Sequence, residues 1–317
     1  MNQLQLTIED FEERFLPGTT VSSFKENIFR KRAELFDSGN ALFYSDLFRH
    51  GDLTKLLEGT MLHRPSIRLV GNGTVIPMSD ISYSVPYGVF SFENIVDVEK
   101  VGEWYKKGYT INVRGAHYNH PGLARCTSLL QQLFSCNIRS NLYLTPTAES
   151  GLVPHYDVHD VFVIQVHGCK RWQFFSNNFD RPTENFRYGR QKFDVGQPTS
   201  SIDLKPGQIL YLPRGVSHSA TALDESLHIT LGIEEPTLAD LLRAIAEIPE
   251  TEPQLRENID CDRALNDPEY LKRILPAILG AFSERFTHEK AQPALRRVMS
   301  SNLDRSPNRN AGFLNGI

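Results

Sequence analysis

Cysteine is scarce in this sequence. Four cysteines occur in 317 residues, and no two of them form a C-x-x-C pair. This spacing excludes a zinc knuckle and a disulfide framework, so we expect free and buried thiols. The four positions are Cys126, Cys136, Cys169 and Cys261.

Long apolar runs and an excess of positive charge are missing as well. No stretch reaches the roughly 18 apolar residues of a membrane span. The N-terminal segment carries Glu9, Asp10, Glu12 and Glu13 in place of the basic region that opens a signal peptide. The formal net charge is −4, which argues against a nucleic-acid partner. The sequence therefore predicts a soluble, cytoplasmic protein without a membrane or nucleic-acid partner.

Short strand patterns fill the middle of the chain. From about residue 140, short segments rich in apolar residues alternate with turns that contain glycine or proline. Many short strands of this kind are typical of a sandwich or a barrel. The predicted strands are residues 66–70, 141–145, 161–166, 170–175, 208–212 and 227–233.

Helical patterns occur at both ends of the chain and once before the strands. An apolar residue every three or four positions indicates helices that pack one face on a neighbour. The predicted helices are residues 8–15, 22–36, 121–134, 237–248, 267–286 (with an interruption at Pro276) and 294–299.

These patterns divide the chain into four segments. We expect a mixed, mainly helical region over residues 1–60 and a β domain over 61–235. A helical region follows over 236–300, and a flexible tail over 301–317. The helical region has an apolar face, which suits packing on the β domain or on a second subunit. This face consists of Leu238, Leu241, Leu242 and Ile245.

Two histidines and one aspartate form the most informative pattern. His155 and Asp157 are two positions apart, and His218 follows in a later segment. In an extended segment, side chains two positions apart point to the same face, so His155 and Asp157 can bind one ion. Two imidazoles and one carboxylate are the donor set of a non-haem Fe(II) centre with open coordination positions. The H-x-D pair alone is more often a hydrogen-bonded pair, and the surrounding motifs decide between the two.

Two longer motifs surround these residues. Residues 206–218 contain a strand between two turns, after which His218 opens the next strand. This motif resembles the second conserved motif of the cupin superfamily. Residues 154–172 run from Pro154-His155-Tyr156-Asp157 to Gly168-Cys169-Lys170-Arg171-Trp172, and they resemble the JmjC-type cupins of the ribosomal-oxygenase group.

The resemblance is good over residues 141–233 and thinner over 30–140. It implies a mainly β fold with flanking helices, in which a double-stranded β-helix (a JmjC-like jelly-roll cupin) precedes a C-terminal helical region. It also implies Fe(II) as cofactor with 2-oxoglutarate and O₂ as co-substrates. By this resemblance His155, Asp157 and His218 match the iron ligands, which makes them the catalytic and metal residues.

The resemblance also implies a binding pocket for 2-oxoglutarate. Lys170 matches the basic residue that pairs with the distal carboxylate, and Asn141 and Tyr143 match polar residues that line the pocket. The family often has Ser or Thr on the strand after the distal histidine. Gly232 occupies that position here, and Thr230 is the nearest substitute on the same face, which leaves this contact in question.

The residues themselves support the role of Lys170. It shares its strand face with Trp172 and Phe174, and burying a lysine among aromatic rings is costly unless it meets an anion. The alternative is a surface lysine whose ammonium reaches water. Arg171 lies on the opposite face of the strand from Lys170 and is expected to be solvated. His228 lies on the same strand face as Thr230 and could approach the site.

The implied function is a 2-oxoglutarate- and Fe(II)-dependent oxygenase that hydroxylates an unactivated C–H of a protein, peptide or amino-acid side chain. Two alternatives stay open, namely a hydroxylase of a natural-product intermediate or tRNA base, and a non-catalytic metal-binding cupin. A cupin isomerase or thiol dioxygenase would carry three histidines or a His/Glu set, and the lack of zinc-finger spacing argues against a histone demethylase. The family often dimerises, so we expect a homodimer. No winged-helix pattern follows the β domain, which weakens the case for a ribosomal-protein target.

Overall fold

The computed structural model describes residues 7–59, 66–71, 73–190, 192–246, 256, 258–283 and 287–302. The helices are α1 Ile8–Phe15, α2 Val21–Asn27, α3 His50–Gly59, α4 Val98–Lys106, α5 Pro121–Phe134, α6 Leu238–Ala246, α7 Cys261–Asn266, α8 Pro268–Ser283 and α9 His288–Asn302. The strands are β1 Glu34–Asp37, β2 Ile67–Gly71, β3 Thr74–Val75, β4 Ser82–Tyr87, β5 Phe90–Val96, β6 Thr110–Arg114, β7 Asn137–Thr145, β8 Asp160–His167, β9 Lys170–Phe175, β10 Pro198–Leu204, β11 Gln208–Leu212, β12 His218–Ala222 and β13 Ser226–Glu234.

Two antiparallel sheets build the β region, and a separate hairpin joins β4 to β5. The large sheet has the strand order β1-β11-β8-β13-β7-β6-β2-β3, and the small sheet has the order β10-β9-β12. In the large sheet β13 lies between β7 and β8, so that Thr230 faces Asn141 on one side and Val163 on the other. The order of the central strands is non-sequential, as a jelly roll requires.

The outer face of the large sheet packs on the N-terminal helices. Phe162 of β8 and Tyr211 of β11 point to this face, where they meet Phe24 of α2 at ring-centroid distances of 5.6 and 5.0 Å. Phe15 of α1 contacts Phe162 edge-on at 5.9 Å. All of these rings are buried, so the apolar core fixes the position of β8 and β11, the strands that flank the loops of the site.

The inner face of the large sheet packs on the small sheet. Val161 and Val163 of β8 and Leu210 of β11 form one buried cluster with Trp172 of β9 and Leu204 of β10. Side chains alternate along each strand, so neighbours in sequence serve the two separate cores. Two facing antiparallel sheets with helices around them confirm the mainly β, jelly-roll fold that the sequence predicts.

Several predicted elements agree with the structure, and one N-terminal prediction is wrong. Helices 8–15 and 121–134 have the predicted bounds, and the strands 170–175 and 208–212 do as well. The single helix over 22–36 is wrong, because α2 already ends at Asn27. Arg30 then adopts a left-handed φ of 59°, and β1 pairs with β11 in the large sheet. Pairing with a distant strand therefore overrides the local helical spacing.

A second compact unit begins at Glu235. Its helix α6 packs on α9 through Ala244, Ile245 and Ala294. Leu241 is also packed in this cluster, whereas Leu238 and Leu242 are 87% and 47% exposed. The predicted interruption at Pro276 is wrong, because α8 continues through it.

Two further expectations from the sequence concern the tail and the thiols. Residues 301 and 302 end α9, and the rest of the predicted tail lies outside the described residues. All four cysteines are free, as expected, and Cys126 and Cys136 are buried. The expected burial is wrong for Cys261, which is exposed, and only partly right for Cys169. Among the described residues, no helix combines the length and apolar character needed to cross a bilayer.

Candidate functional site

The predicted metal ligands meet at the backbone as well as at their side chains. His155 and Asp157 lie in the connection between β7 and β8, and His218 is the first residue of β12. The amide of His155 donates to the His218 carbonyl at 2.9 Å, and the amide of His218 donates back to the His155 carbonyl at 2.7 Å. This reciprocal pair forms an isolated antiparallel bridge that aligns the two histidines.

The three side chains converge on one point. The imidazole centroids of His155 and His218 are 4.6 Å apart, and Nε2 of His218 lies 3.9 Å from Oδ2 of Asp157. One ligand atom from each of the three residues lies within 4.8 Å of the others. Since metal–ligand bonds at such sites are about 2 Å long, the three donors can bind a single ion after small side-chain adjustments.

Both imidazoles are held in the same way. Nδ1 of His155 hydrogen-bonds to the Val153 carbonyl at 2.8 Å, and Nδ1 of His218 to the Val216 carbonyl at 2.9 Å. A carbonyl oxygen accepts only from a protonated nitrogen, so each Nδ1 carries the proton. Each Nε2 lone pair is therefore available to a metal, the arrangement that outer hydrogen bonds give to ligating histidines.

The protonation states suit a cation between these groups. Burial, together with the nearby His155, lowers the pKa of His218 to about 4, so its ring is neutral at neutral pH. For Asp157 burial opposes ionisation, but the neighbouring imidazoles and the Arg187 guanidinium outweigh it and lower the pKa of this carboxyl. The site thus offers two imidazole nitrogens and one carboxylate, the donor set that a ferrous ion prefers.

Lys170 lies between the two sheets, as the strand face that it shares with Trp172 predicts. Its side chain on β9 is buried, with only 3% exposure, and Nζ donates to Oγ1 of Thr145 at 2.8 Å. Burial lowers the pKa of Lys170 to about 7. Its neighbour Arg171 points outward and pairs with Asp203 at 2.6 Å. Among the described residues, the Lys170 ammonium meets the Thr145 hydroxyl and no carboxylate, and a buried ammonium of this kind favours the approach of an anion.

The other predicted pocket residues share one face of the large sheet. Tyr143 stacks on His228 with 4.9 Å between ring centroids and 4° between ring planes, and its hydroxyl interacts with Thr230. Asn141 accepts a hydrogen bond from the Gly115 amide at 3.2 Å. The structure thus brings Tyr143 and Thr230 together, while the Asn141 carboxamide is engaged with the backbone before α5.

Gly232 lies on the same strand as Thr230 and faces His159. A Cβ at Gly232 would lie 2.7 Å from the His159 ring. A Ser or Thr at Gly232, as the resembling family often has, would therefore require the His159 side chain to move.

Sequence reasoning missed three residues of this pocket or rated them low. Thr145 holds Lys170, and its parity with Asn141 and Tyr143 on β7 could have identified it. His228 is buried, with Lys170 close enough to lower the pKa of its imidazole further below the value that burial sets. Trp172 lies 5.5 Å from His218 and 5.7 Å from His228 between ring centroids.

An aromatic cluster borders the site on the side of the connection between β9 and β10. Tyr188 lies 6.3 Å from His155 between ring centroids, and Tyr156 contacts Tyr188 edge-on at 5.5 Å. The Tyr156 hydroxyl donates to the Phe186 carbonyl at 2.6 Å. We call this cluster the aromatic wall; it consists of Tyr156, Phe179, Phe186, Tyr188 and Phe193.

The sequence over residues 116–241, which includes all seven predicted site residues, matches the JmjC domain family. This stretch of the chain is therefore similar to JmjC domains. The fold agrees, because the chain aligns with the structure of YcfD, a ribosomal oxygenase from Escherichia coli, in complex with cobalt and 2-oxoglutarate. That alignment has a TM-score of 0.58 and 18% identity, and it covers 89% of this chain and 71% of the other.

Two curated proteins are similar to most of this chain. The chain is 26% identical over 276 residues to a bifunctional lysine-specific demethylase and histidyl-hydroxylase NO66 of Culex quinquefasciatus, covering 83% of this chain and 41% of the relative. It is 29% identical over 256 residues to the protein of the same name in Aedes aegypti, covering 76% of this chain and 38% of the relative. The chain thus spans about two fifths of the length of these relatives.

Proposed function

We propose that this protein is a 2-oxoglutarate- and Fe(II)-dependent oxygenase that hydroxylates an unactivated C–H of a protein side chain. The observation that carries the proposal is the convergence of His155, Asp157 and His218 beside the buried ammonium of Lys170. The JmjC domain and the names of the hydroxylase and oxygenase relatives support the same activity.

The donor set fits Fe(II). Two imidazole nitrogens and one carboxylate on one side of an ion leave the remaining positions for a bidentate keto acid and O₂. Because both Nδ1 atoms are bonded to carbonyls, His155 and His218 can direct Nε2 at the ion without a flip of either ring. The Asp157 side chain keeps 37% exposure, so the centre faces a space that a substrate can enter.

The neighbouring pocket fits a dicarboxylate. Lys170 uses one of its protons on Thr145 and can donate the others to a carboxylate. Among the described residues, Nδ1 of His228 and Nε1 of Trp172 are buried without a hydrogen-bond partner. Buried polar atoms are nearly always hydrogen-bonded. These two nitrogen atoms therefore support the binding of a polar ligand between Lys170 and the metal ligands. We propose that Lys170, Asn141, Tyr143 and Thr230 bind 2-oxoglutarate, with Lys170 on its distal carboxylate.

The protein residues hold and orient the reactants. Fe(II) with 2-oxoglutarate and O₂ supplies the oxidising chemistry. The bridge between His155 and His218 fixes two ligands, Lys170 fixes the far end of the keto acid, and the aromatic wall shields the centre from water on the substrate side. Each of these roles lowers the freedom of a reactant before the chemical step.

A protein side chain is the substrate class that the comparisons favour. The relatives are named as acting on lysine and histidine residues, and YcfD is titled a ribosomal oxygenase. The net charge of −4 offers no general attraction for a nucleic-acid backbone. We further propose a homodimer formed through the region after Glu235. A cytoplasmic location would keep iron ferrous and the four thiols reduced.

Succinate release with oxygen incorporation tests the function. We expect the iron-loaded chain to release succinate from 2-oxoglutarate when it is given ribosomal-protein and histone peptides, and one peptide to gain the mass of one oxygen atom. Asp157→Ala should abolish both signals, while the exposed Asp180→Ala should keep them.

Three outcomes would oppose the proposal. If both Asp157→Ala and Asp180→Ala abolished succinate release and oxygen incorporation, these signals would not report on the metal site. Oxygen appearing in a tRNA nucleoside or a small metabolite would overturn the substrate class. Metal binding without succinate under any substrate would indicate the non-catalytic cupin.

A further inference from the structure

A second cluster of side chains of metal-ligand type lies apart from His155, Asp157 and His218. His50 is the first residue of α3, His167 the last residue of β8, and Glu225 lies in the turn between β12 and β13. Nε2 of His50 is 3.1 Å from Oε1 of Glu225, and the rings of His50 and His167 are 4.7 Å apart between centroids. One ligand atom from each of the three lies within 4.8 Å of the others.

The carboxylate of this cluster is oriented by a tyrosine. The Tyr105 hydroxyl of α4 donates to Oε2 of Glu225 at 2.7 Å, which leaves Oε1 directed at His50. Burial raises the pKa of Tyr105, and the bond to Glu225 raises it further, so the hydroxyl keeps its proton. Outer-sphere donors of this kind commonly fix the ligand carboxylates of metal sites.

The two turns that carry His167 and Glu225 are tied together beneath the surface. Gln165 is fully buried, and its Nε2 donates to the carbonyls of His167 and Gly168 at 2.8 and 3.1 Å and to Oγ of Ser226 at 2.8 Å. A Cβ at Gly168 would lie 2.0 Å from the Glu225 carbonyl oxygen. The backbones of both turns are thus held together independently of the metal-binding side chains.

We propose that His50, His167 and Glu225 bind a divalent transition-metal ion, Zn²⁺ by donor class. Two imidazoles and a carboxylate suit zinc, whereas magnesium and calcium prefer oxygen donors. In a tetrahedral site the donors stand about 3.4 Å apart, with bonds of about 2.1 Å and a water as the fourth ligand. Rotation of the two exposed histidine rings closes the present separations.

The arrangement is more than a surface ion pair. An ion pair between His50 and Glu225 alone would contribute little to stability, and it would not involve His167. With a metal, the three residues join α3 to two turns of the β sandwich. The ion would therefore connect the segment before residue 60 to the JmjC domain.

Metal binding by a variant that lacks the first set of predicted ligands tests this second site. In an Asp157→Ala, His218→Ala background, we expect equilibrium dialysis with metal analysis to find one Zn²⁺ per folded chain. Adding His50→Ala and His167→Ala should remove it. Glu225→Gln should weaken zinc binding at least about tenfold, and Tyr105→Phe should weaken it about tenfold. Glu99→Gln, on the exposed face of α4, is the matched control and should bind as the background does.

A ligand exchange gives an independent readout. His167→Cys keeps a zinc ligand, so it should retain the ion, and with Co²⁺ it should show the near-ultraviolet absorption of a cobalt–thiolate bond. Circular dichroism checks that each variant is folded. The proposal is overturned if the folded background binds no Zn²⁺, if the double histidine variant binds as tightly as the background, or if the cysteine variant shows no thiolate band.

Discussion

At the scale of single residues, the proposed contact between Lys170 and 2-oxoglutarate should depend on pH. Its ammonium is buried against Thr145, and burial lowers its pKa to about 7. Below that pH the empty pocket already holds the charge that a carboxylate needs. Above that pH, a dicarboxylate that binds beside Lys170 would require the lysine to take up a proton, because the anion favours the charged form.

The affinity for 2-oxoglutarate should therefore fall as the pH rises. We expect KM for 2-oxoglutarate to be nearly flat below pH 7 and to increase by up to about tenfold per pH unit above it. Steady-state kinetics between pH 6 and 8.5 measures this. Lys170→Arg, if it binds the keto acid, should flatten the profile because a guanidinium stays charged. Arg171→Met should keep the parent profile, and a parent profile without any slope would contradict the role of Lys170.

The resemblance to the JmjC-type cupins supplied the candidate pocket residues, and strand alternation supported placing them on shared faces. Lys170 and Trp172, and also Asn141 and Tyr143, alternate in strands whose faces the sequence reveals. Alternation places Thr145 on the same face of β7 as Tyr143, but it does not show that this face meets Lys170 of the other sheet. The contact between Thr145 and Lys170 depends on how the two sheets pack, and the stacking of His228 on Tyr143 depends on the register of β13 with β7.

At the scale of elements, the turn before β12 secures the segment that carries two of the predicted metal ligands, His155 and Asp157. Gly215 has a φ of 85°, and its amide donates to the Asp157 carbonyl at 2.8 Å. A Cβ at this position would lie 1.9 Å from the Phe179 carbonyl oxygen. No side chain fits there unless the turn moves.

Gly215→Ala should be more damaging than the strain of a left-handed backbone alone. We expect it to lower the free energy of unfolding by about 3 kcal/mol or more. Gly88→Ala in the β4–β5 turn has a φ of 61° with nothing within 4 Å, and should cost about 1 kcal/mol. Urea unfolding followed by circular dichroism compares them, and equal losses would show that the contact with Phe179 is unimportant.

The connection between β9 and β10 should select the substrate. Tyr188 lies beside His155 but has no contact with Lys170 among those described, so Tyr188→Ala should raise KM for the protein substrate about tenfold and leave KM for 2-oxoglutarate unchanged. Tyr87→Ala removes an equally large ring that is 69% exposed on β4 and serves as the control. A parallel rise in both KM values would place Tyr188 in the co-substrate pocket instead.

The central strands could be predicted because their alternation and their turns are local features. The edge strand β1 could not, since its four residues are extended only through pairing with β11. The β4–β5 hairpin was missed for a related reason, as its residues from Ser84 to Phe92 are exposed and carry no amphipathic pattern. Local sequence specifies strands that are buried on at least one face.

At the scale of the whole molecule, the unit after Glu235 leaves apolar side chains in solvent. Leu238 and Leu242 of α6 are 87% and 47% exposed, while the opposite face of the helix is packed. Apolar surface of this kind favours association. The proposed homodimer would cover it.

Charged substitutions on α6 should separate the subunits. We expect size-exclusion chromatography with light scattering to give a dimer for the parent chain and a monomer for Leu238→Glu with Leu242→Glu. Leu42→Glu, at a position that is 74% exposed in the N-terminal region, should stay dimeric. A monomeric parent would disprove the dimer, and a dimeric double variant would move the interface elsewhere.

The reciprocal amide bonds between His155 and His218 limit where this scaffold tolerates redesign. Insertions beside either histidine would pull on both at once, so those two loops should be kept at their natural lengths. The connection between β9 and β10 is also bonded to this region, because the Ser217 amide donates to Oδ1 of Asn178 at 2.9 Å and the Phe179 amide donates to the Gly215 carbonyl at 2.9 Å. A graft meant to change the substrate should therefore keep residues 177–179 and replace only later residues of this connection.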